Sequence, residues 1–461
     1  MKFNLQKIFR QHLCVAIAKT VVIVASASLI SCGGDSIQPN IILISMDDAG
    51  WRDFGFHGSA VRTPTLDQMA RQGIKLDHFY VSPVCTPTRA GLMTGRPASR
   101  VGIFGAINAV APPPLARDQV TIGEIFRRAG YDTALTGKWH LGNTPDFGPS
   151  AYGFNHSHGF LGPWVDYYTH RTMEDKIDWH RNGEYIDQEG HATDLISNEA
   201  INFLTTDRDK SKPFFIYVSF NAPHLPLQEE EKWLDLYRDQ FKTESRRFSA
   251  AMVTHVDDSI RQILETLDKE GVAQNTLVIF FSDNGGEPPG EKSYLRPKPT
   301  YKTTPSTEFY SDNSPLRGAK GSLYEGGIRV AAIAYWPGEL APGTFSEPIA
   351  IYDLLPTLAS LANIPIPAEM IVEGLDFWPA LVTGESLDDR VLYWHVGQQF
   401  SVQKNGWKLI HRGGTTLEAT NELFHLEEDP YEKQEISGVY PEKLYSLKQE
   451  MMRQQELDEK N

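Results

Sequence analysis

The run Ile41-Ile42-Leu43-Ile44-Ser45-Met46, which ends in Asp47-Asp48, decides the fold class of this 461-residue chain. An apolar run without polar alternation is typical of a strand that is buried on both faces of a sheet. Similar runs lie at residues 214–220 and 277–281, and helical patterns lie at residues 65–73, 121–129 and 246–269. Strands that alternate with helices predict an α/β fold, in which a large, mostly parallel sheet is sandwiched by helices.

Each strand-like run has polar residues at its carboxyl end, which is where ligands bind in parallel sheets. Asp47 and Asp48 follow the first run, and Asp283 and Asn284 follow the third. They offer hard oxygen ligands without sulfur or imidazole, a set that suits Ca²⁺ or Mg²⁺ better than Zn²⁺. Taken singly, Asp-Asp after a strand is also typical of a helix cap, and Asp-Asn-Gly-Gly of a turn.

The pattern changes past Phe377, where short extended segments are joined by turns. The segments lie at residues 391–395, 399–404, 407–411 and 423–426, and the turns include Asn405-Gly406 and Gly413-Gly414. This pattern predicts a small antiparallel sheet, followed by a helix over residues 441–458. We therefore expect a main domain at residues 39–377 and a C-terminal α+β subdomain at residues 378–461. Residues 287–314, which are rich in Pro, Ser, Thr and Lys, predict a long surface loop.

The N-terminal residues predict an export signal. Four basic residues precede an apolar stretch at residues 21–30 that is too short to span a bilayer. The following Ser31-Cys32-Gly33 completes what resembles a bacterial lipoprotein cleavage box. We expect a signal peptide at residues 1–31, a lipidated Cys32 and a tether at residues 32–38. The lipid would anchor the exported protein to a membrane of the cell envelope, facing the periplasm or the cell surface. An ordinary cleavage site that contains a cysteine is the alternative.

The three cysteines and the net charge narrow the function classes. Cys14 would leave with the signal and Cys32 would carry lipid, so Cys85 remains as either a buried thiol or a chemical group. Removal of a signal with four basic and no acidic residues would take the net charge from −15 to −19. Such an acidic chain is not expected to bind nucleic acid. An anionic substrate would need a strongly cationic pocket.

The segment Cys85-Thr86-Pro87-Thr88-Arg89 predicts the start of a helix, because proline suits a first turn. A spacing of four places Arg89 one turn beyond Cys85 on the same face. Free amides at a helix N-terminus favour an anion beside residue 85. A buried cysteine followed by a surface arginine is the alternative.

Three further segments carry candidate cations and proton carriers. Gly137-Lys138-Trp139-His140 follows an extended stretch, so Lys138 could bind an anion and His140 could transfer a proton on the same side. His224 follows the second apolar run. Lys320 is flanked by glycines, which indicates close backbone approach. Each of these side chains taken alone is as well explained as a solvated surface residue.

Taken together and in order, these segments resemble the type I sulfatases of the alkaline phosphatase superfamily. The matching motifs are Met46-Asp47-Asp48, Cys85-Thr86-Pro87-Thr88-Arg89, Gly137-Lys138-Trp139-His140, Asn221-Ala222-Pro223-His224, Ser282-Asp283-Asn284-Gly285-Gly286 and Leu316-Arg317-Gly318-Ala319-Lys320-Gly321. The resemblance runs from about residue 39 to the C-terminus and makes residues 39–377 the catalytic domain. Asp166-Tyr167-Tyr168-Thr169-His170 also resembles the arylsulfatase B branch, which includes N-acetylgalactosamine 4-sulfatases.

The resemblance implies a chemistry for residue 85. A formylglycine-generating enzyme would oxidise Cys85 to formylglycine, whose hydrated diol attacks the sulfate sulfur with one hydroxyl and later expels sulfate with the other. Asp47, Asp48, Asp283 and Asn284 would hold one Ca²⁺, with Mg²⁺ as an alternative, and the ion would also touch residue 85.

The resemblance also implies roles for the remaining residues. Arg89 would steady the formylglycine, and Lys138 and Lys320 would bind sulfate oxygens. His140 would assist breakdown of the sulfated intermediate, and His224, with Lys320, would protonate the leaving alcohol.

Two alternatives and a substrate class follow. A phosphonate or phosphate monoester hydrolase of the same superfamily is the rival enzyme, and a non-catalytic glycan-binding lipoprotein follows if Cys85 stays unmodified. A two-zinc alkaline phosphatase is disfavoured, because its metal sites are rich in histidine.

Export and a group of aromatic side chains suggest a sulfated carbohydrate as substrate, although core packing is the alternative for these rings. The rings belong to Trp164, Tyr167, Tyr168, His170, Trp179 and His180.

Overall fold

A computed structural model of the protein describes residues 38–107, 113–287, 310–413 and 419–460. The predicted signal, the lipidated Cys32 and most of the predicted loop at residues 287–314 lie outside the described residues. Within the described ranges, no helix is both long and apolar enough to cross a bilayer.

The strands, in chain order, are β1 Asn40–Asp47, β2 Ile74–Leu76, β3 Phe79–Tyr80, β4 Asp132–Lys138, β5 His156–Phe160, β6 His180–Arg181, β7 Glu184–Tyr185, β8 Phe214–Pro223, β9 Thr276–Ser282, β10 Arg329–Val330, β11 Ala332–Tyr335, β12 Gly343–Phe345, β13 Ile349–Ala350, β14 Leu392–Val396, β15 Gln399–Lys404, β16 Trp407–Arg412 and β17 Thr420–His425. The helices are α1 Pro64–Gln72, α2 Cys85–Thr94, α3 Ile122–Arg128, α4 Ala192–Asn202, α5 Glu231–Leu234, α6 Glu244–Lys269, α7 Glu325–Ile328, α8 Leu354–Leu361, α9 Trp378–Thr383 and α10 Pro441–Glu459.

A ten-stranded sheet with the order β12-β2-β11-β9-β1-β8-β4-β5-β6-β7 organises the main domain. Its five central strands, from β9 to β5, are all parallel, whereas β11, β6 and β7 pair antiparallel towards the edges. The predicted, mostly parallel sheet is therefore confirmed. The carboxyl ends of the central strands all lie at one edge, where a ligand site is expected.

The sheet is covered on both faces, because side chains of a strand alternate between them. Ile41 and Leu43 of β1 belong to one apolar core, and Ile42 and Ile44 belong to the other. Helix α6 packs in the second core and begins where the Thr243 side chain accepts a hydrogen bond from the amide of Arg246. The predicted sandwich of helices around the sheet is thus observed.

The C-terminal region contains the predicted small antiparallel sheet, with the order β14-β15-β16-β17, and the helix α10. Leu447 and Met451 of α10 pack on Val402 and Leu409 of the sheet. Trp394 of β14 instead belongs to the first core of the main domain. The division of the chain at residues 377 and 378 stays a prediction.

Candidate active site

Four neighbouring strands deliver seven of the ten predicted site residues to one edge of the sheet. Those seven lie at or just after the ends of β1, β4, β8 and β9, whereas Cys85 and Arg89 belong to α2 and Lys320 lies in the segment before α7. The ten side chains that the structure brings together are those of Asp47, Asp48, Cys85, Arg89, Lys138, His140, His224, Asp283, Asn284 and Lys320. Parallel pairing explains the convergence, because it places equivalent strand ends side by side.

A glycine allows β4 and β8 to approach each other at the site. Gly137 has φ +105, and a Cβ atom there would lie 1.9 Å from the carbonyl oxygen of Ser219. A side chain at this position would therefore separate the two strands. Asp48 and His140 also adopt positive φ, at 69° and 58°, which is uncommon for residues other than glycine and recurs at functional sites.

Oxygen atoms from β1 and β9 face one another at the centre of the site. Asn284 Nδ2 donates to Asp48 Oδ1 at 2.7 Å, and the amide of Asp48 lies 3.4 Å from Asp283 Oδ1. Within the described part of the chain, Asp47 Oδ1 and Asn284 Oδ1 are buried without a hydrogen-bond partner. Such unpaired, buried oxygens fit a hard cation such as Ca²⁺ or Mg²⁺.

The pKa values of the three carboxylates are also consistent with a cation site. Burial, with the negative charge of Asp47, raises the pKa of Asp283 to about 7. Burial also opposes ionisation of Asp47 and Asp48, but the ammonium groups of Lys138 and Lys320 outweigh it and hold both pKa values below their usual range. A divalent cation would remove the mutual repulsion of these buried charges.

Cys85 is buried at the first position of α2. Its Sγ lies 3.2 Å from His140 Nδ1, while His140 Nε2 lies 2.8 Å from the carbonyl oxygen of Ile107. Because a carbonyl oxygen only accepts, Nε2 carries the proton and Nδ1 presents its lone pair to residue 85. Burial lowers the pKa of His140 well below its usual value and raises that of the Cys85 thiol. A neutral imidazole therefore accepts from residue 85.

Arg89 lies one helical turn beyond Cys85 and is fully buried. Its Nη1 donates to the carbonyl of Lys138 at 2.9 Å and to Ser219 Oγ at 2.6 Å, and its Nη2 donates to Asp283 Oδ2 at 2.7 Å. Arg89 thus ties α2 to the ends of three strands, which holds residue 85 against them.

The two predicted lysines stand beside the carboxylates. Lys138 Nζ lies 2.5 Å from Asp47 Oδ2, and Lys320 Nζ lies 2.7 Å from Asp48 Oδ2 and 3.1 Å from Glu287 Oε2. Lys138 is wholly buried, whereas the Lys320 side chain is 15% exposed. An anion that binds next to the carboxylates would meet both ammonium groups.

His224 forms the outer side of the site, with a side chain that is 14% exposed. Its Nδ1 donates to the carbonyl of Leu225 at 2.8 Å, and its Nε2 lies 3.7 Å from Asp48 Oδ2. Burial, followed by the charge of Lys320, lowers the pKa of His224. The site therefore opens to solvent on the side of His224 and Lys320.

Sequence reasoning missed two polar partners at the site. Ser219 accepts from Arg89, and Glu287 lies beside Lys320. Ser219 is a polar residue in the otherwise apolar run of β8, which is a signal that the sequence does contain. Glu287 carries no such signal, because only the tertiary structure brings it to Lys320.

The six side chains that were candidates for sugar stacking fit that interpretation only in part. Tyr167, His170, Trp179 and His180 are buried, so they follow the core-packing alternative. Trp164 and Tyr168 are partly exposed.

The site as a whole combines a buried cysteine, an acceptor imidazole and two ammonium groups around an oxygen-lined centre, a set that suits a hydrolase of anionic esters. The model of the Sulfatase family matches residues 39–364. The N-acetylgalactosamine-6-sulfatase of Mus musculus is 30% identical, with 92% of this chain and 86% of that protein covered. Arylsulfatase J of Mus musculus is 31% identical, with 88% and 73% covered.

Solved structures agree with these relatives. The crystal structure of Ps i-CgsB in complex with k-i-k-neocarrahexaose has a TM-score of 0.80 and 31% identity, with 90% of this chain and 92% of that chain covered. The PsFucS1 sulfatase from Pseudoalteromonas sp. shares the fold with a TM-score of 0.74 and 24% identity, with 98% and 95% covered. The fold is that of the alkaline phosphatase superfamily. This chain belongs to the sulfatase family and is a sulfuric ester hydrolase. Its place in the arylsulfatase B branch stays a prediction.

Proposed function

We propose that this protein removes sulfate from a sulfated carbohydrate, with residue 85 as the nucleophile after its conversion to formylglycine, and with one Ca²⁺ at the oxygen-lined centre. The contact of Cys85 Sγ with His140 Nδ1 beside the unpaired oxygens of Asp47 and Asn284 is the observation that carries the proposal. A formylglycine at position 85 supplies, once hydrated, two hydroxyls, of which one attacks sulfur and the other allows sulfate to leave.

The buried thiol supports the need for conversion. Burial raises the pKa of Cys85, so the unmodified side chain stays protonated and is a weak nucleophile. Hydroxyls at the same position would lie beside His140 Nδ1, which is fixed as an acceptor by the carbonyl of Ile107. We assign to His140 the removal of the proton from residue 85 that accompanies sulfate release.

The cation site fits Ca²⁺, with Mg²⁺ as the alternative. Asp47, Asp48, Asp283 and Asn284 would hold the ion, which would supply positive charge next to residue 85 and to a sulfate oxygen. Hard oxygen donors and buried, unpaired oxygens support this assignment.

The remaining groups bind the ester and its leaving alcohol. Lys138, which is wholly buried, would hold a sulfate oxygen at the closed side of the site. Lys320 and His224 line the open side, where the leaving alcohol must exit. We assign to the imidazolium form of His224, which carries a proton on Nε2 as well as on Nδ1, the transfer of the Nε2 proton to the alcohol. Arg89, held by Asp283 and Ser219, would fix residue 85 in place.

The substrate class rests on relatives and neighbours. The curated relatives include N-acetylgalactosamine-6-sulfatases, and Ps i-CgsB was solved with a carrageenan oligosaccharide. Trp164 and Tyr168, which are partly exposed, are candidates to stack on a sugar ring. A sulfated oligosaccharide is therefore the substrate class that we propose.

Two measurements test the proposal on protein made in a host that has a formylglycine-generating enzyme. The peptide that contains residue 85 should be about 18 Da lighter than its cysteine form, because an aldehyde oxygen replaces sulfur and two hydrogens are lost. The protein should release sulfate from members of a panel of sulfated mono- and oligosaccharides, and Cys85→Ala should release none. An unmodified Cys85 in active protein, or no turnover of any glycan, would contradict it.

Export and lipidation remain proposals of their own. We propose that a signal at residues 1–31 is removed and that Cys32 carries a lipid which tethers the enzyme to the cell envelope. Labelled fatty acid should enter the full-length protein and not its Cys32→Ala variant. Equal labelling of both, or soluble wild-type protein in fractionated cells, would contradict the anchor.

A further inference from the structure

The backbone of His224 is held by a buried phenol from another part of the chain. The Tyr167 hydroxyl lies 2.9 Å from the carbonyl oxygens of both Asn221 and His224. The amide of His224 closes the same turn by donating to the Asn221 carbonyl at 2.9 Å. One phenolic proton is thus shared between the two carbonyls that bracket this turn.

Tyr167 can act only as a donor in this position. Its side chain is fully buried, and burial together with the negative charge of Asp47 raises its pKa well above the usual value. The phenol therefore stays protonated, and both of its neighbours are carbonyl oxygens, which only accept. Loss of the hydroxyl would leave these carbonyls without that donor.

Tyr167 itself is fixed at both of its backbone groups. Its amide donates to Gln228 Oε1 at 2.8 Å, and its carbonyl accepts from the amide of Ala192 at 2.7 Å. Gln228 Nε2 donates in turn to Asp166 Oδ2 at 2.9 Å. The ring of Tyr167 stacks on that of His191, with centroids 5.2 Å apart. The hydroxyl is therefore held rigidly against the turn.

The orientation of the His224 ring depends on that turn. Nδ1 of His224 donates to the carbonyl of the next residue, Leu225, so the ring direction follows the local backbone. Nε2 then faces Asp48 at 3.7 Å, on the open side of the site. A small rotation of the turn would move Nε2 away from a leaving group, and proton transfer depends steeply on such geometry.

We propose that Tyr167 is a positioning residue for the leaving-group step, because its hydroxyl holds the turn that aims His224 Nε2 at the departing oxygen. This inference rests on the proposed role of His224. It gives the Asp166-Tyr167 segment a function other than sugar stacking.

The test compares two esters that differ in how much the leaving group needs a proton. The leaving group of 4-nitrophenyl sulfate, 4-nitrophenolate, is stable without a proton, whereas the more basic phenolate of phenyl sulfate needs one as the S–O bond breaks. Tyr167→Phe should lower kcat for phenyl sulfate by at least about tenfold, with less than about threefold change for 4-nitrophenyl sulfate and in either KM. In a His224→Ala background, Tyr167→Phe should have no further effect on phenyl sulfate, since both changes act through one group.

Tyr131→Phe is the matched control, because its buried hydroxyl also donates to a backbone carbonyl, that of Pro39 at 3.0 Å. It should leave both rates within about twofold of the wild type, and thermal unfolding should confirm that each variant is folded. Three outcomes in an active enzyme would overturn the positioning role. They are an equal loss of kcat on both esters, no loss on either ester, and a loss that adds to that of His224→Ala. A wild-type enzyme that released sulfate from neither ester nor any sulfated oligosaccharide would instead contradict the proposed function.

Discussion

His140 Nδ1 lies 3.2 Å from Cys85 Sγ, with its lone pair directed at residue 85 because Nε2 donates to the carbonyl of Ile107. His140→Gln should therefore lower kcat by about 10²- to 10⁴-fold with little change in KM, since an amide cannot take up the proton of residue 85. Sulfated enzyme should accumulate, and intact-mass measurement after mixing with 4-nitrophenyl sulfate checks this. An equal loss without any sulfated species would show that His140 acts before ester cleavage.

Removal of divalent cations should inactivate and destabilise the protein. Burial and the negative charge of Asp47 raise the pKa of Asp283 in spite of the nearby Arg89, and a bound cation would favour its ionised form. At 100 times the dissociation constant, Ca²⁺ should stabilise the fold by about 2.7 kcal/mol. Thermal unfolding after dialysis against a chelator, with and without added Ca²⁺ or Mg²⁺, checks this, and Asp283→Asn should reduce the response. An unchanged Tm and full activity without any divalent cation would contradict the site.

A histidine and two carboxylates that are not among the predicted site residues should make stability depend on pH. His255 Nδ1 lies 3.1 Å from both oxygens of Glu229, and its Nε2 lies 2.9 Å from Asp194 Oδ1. Burial works against the charged ring, but Glu229 and Asp194 outweigh it and raise the pKa of His255 to about 9.

The pKa of His255 in the folded protein is above the value of about 6.5 in the unfolded chain. Its contribution to stability is therefore complete below pH 6.5 and is lost as the pH rises towards 9. His255→Gln should lower the free energy of unfolding by up to about 3 kcal/mol at pH 6, with a smaller difference near pH 9.5. Urea unfolding of both proteins across this range checks the trend, and a difference that grows with pH would contradict it.

A buried ion network links the C-terminal sheet to helix α7. Lys408 Nζ lies 2.8 Å from both Glu325 Oε1 and Glu432 Oε1, and all three side chains are buried. Lys408→Met should destabilise the protein by about 3–5 kcal/mol, because it removes the nearest cation from two buried carboxylates. Adding Glu325→Gln and Glu432→Gln should restore part of the loss. Urea unfolding measures both steps, and a stable Lys408→Met protein would show that the network contributes little.

Much of the fold was predictable because apolar patterning and turn residues are local. The run at residues 41–46 lies within β1, the segment at residues 399–404 has the bounds of β15, and α10 begins at the predicted Pro441. Parallel strands also explain why Asp47 and Asp283 could be expected together from sequence, since equivalent strand ends meet at one edge.

The contacts between distant segments were not predictable. The Ile107 carbonyl sets which nitrogen of His140 faces residue 85, and Tyr167 reaches the turn before His224 across more than fifty residues of sequence. Nothing in the local pattern of either segment specifies its partner.

The sequence by itself determined the fold class, the family resemblance and the identities of the chemical groups, because hydrophobic periodicity, motifs and their order can all be read from the linear sequence. Only the tertiary structure decided which oxygens are left unpaired, which imidazole nitrogen carries a proton and which aromatic rings are buried. Those properties depend on packing and hydrogen bonding between segments far apart in the chain, and they are what make the assembled residues a site.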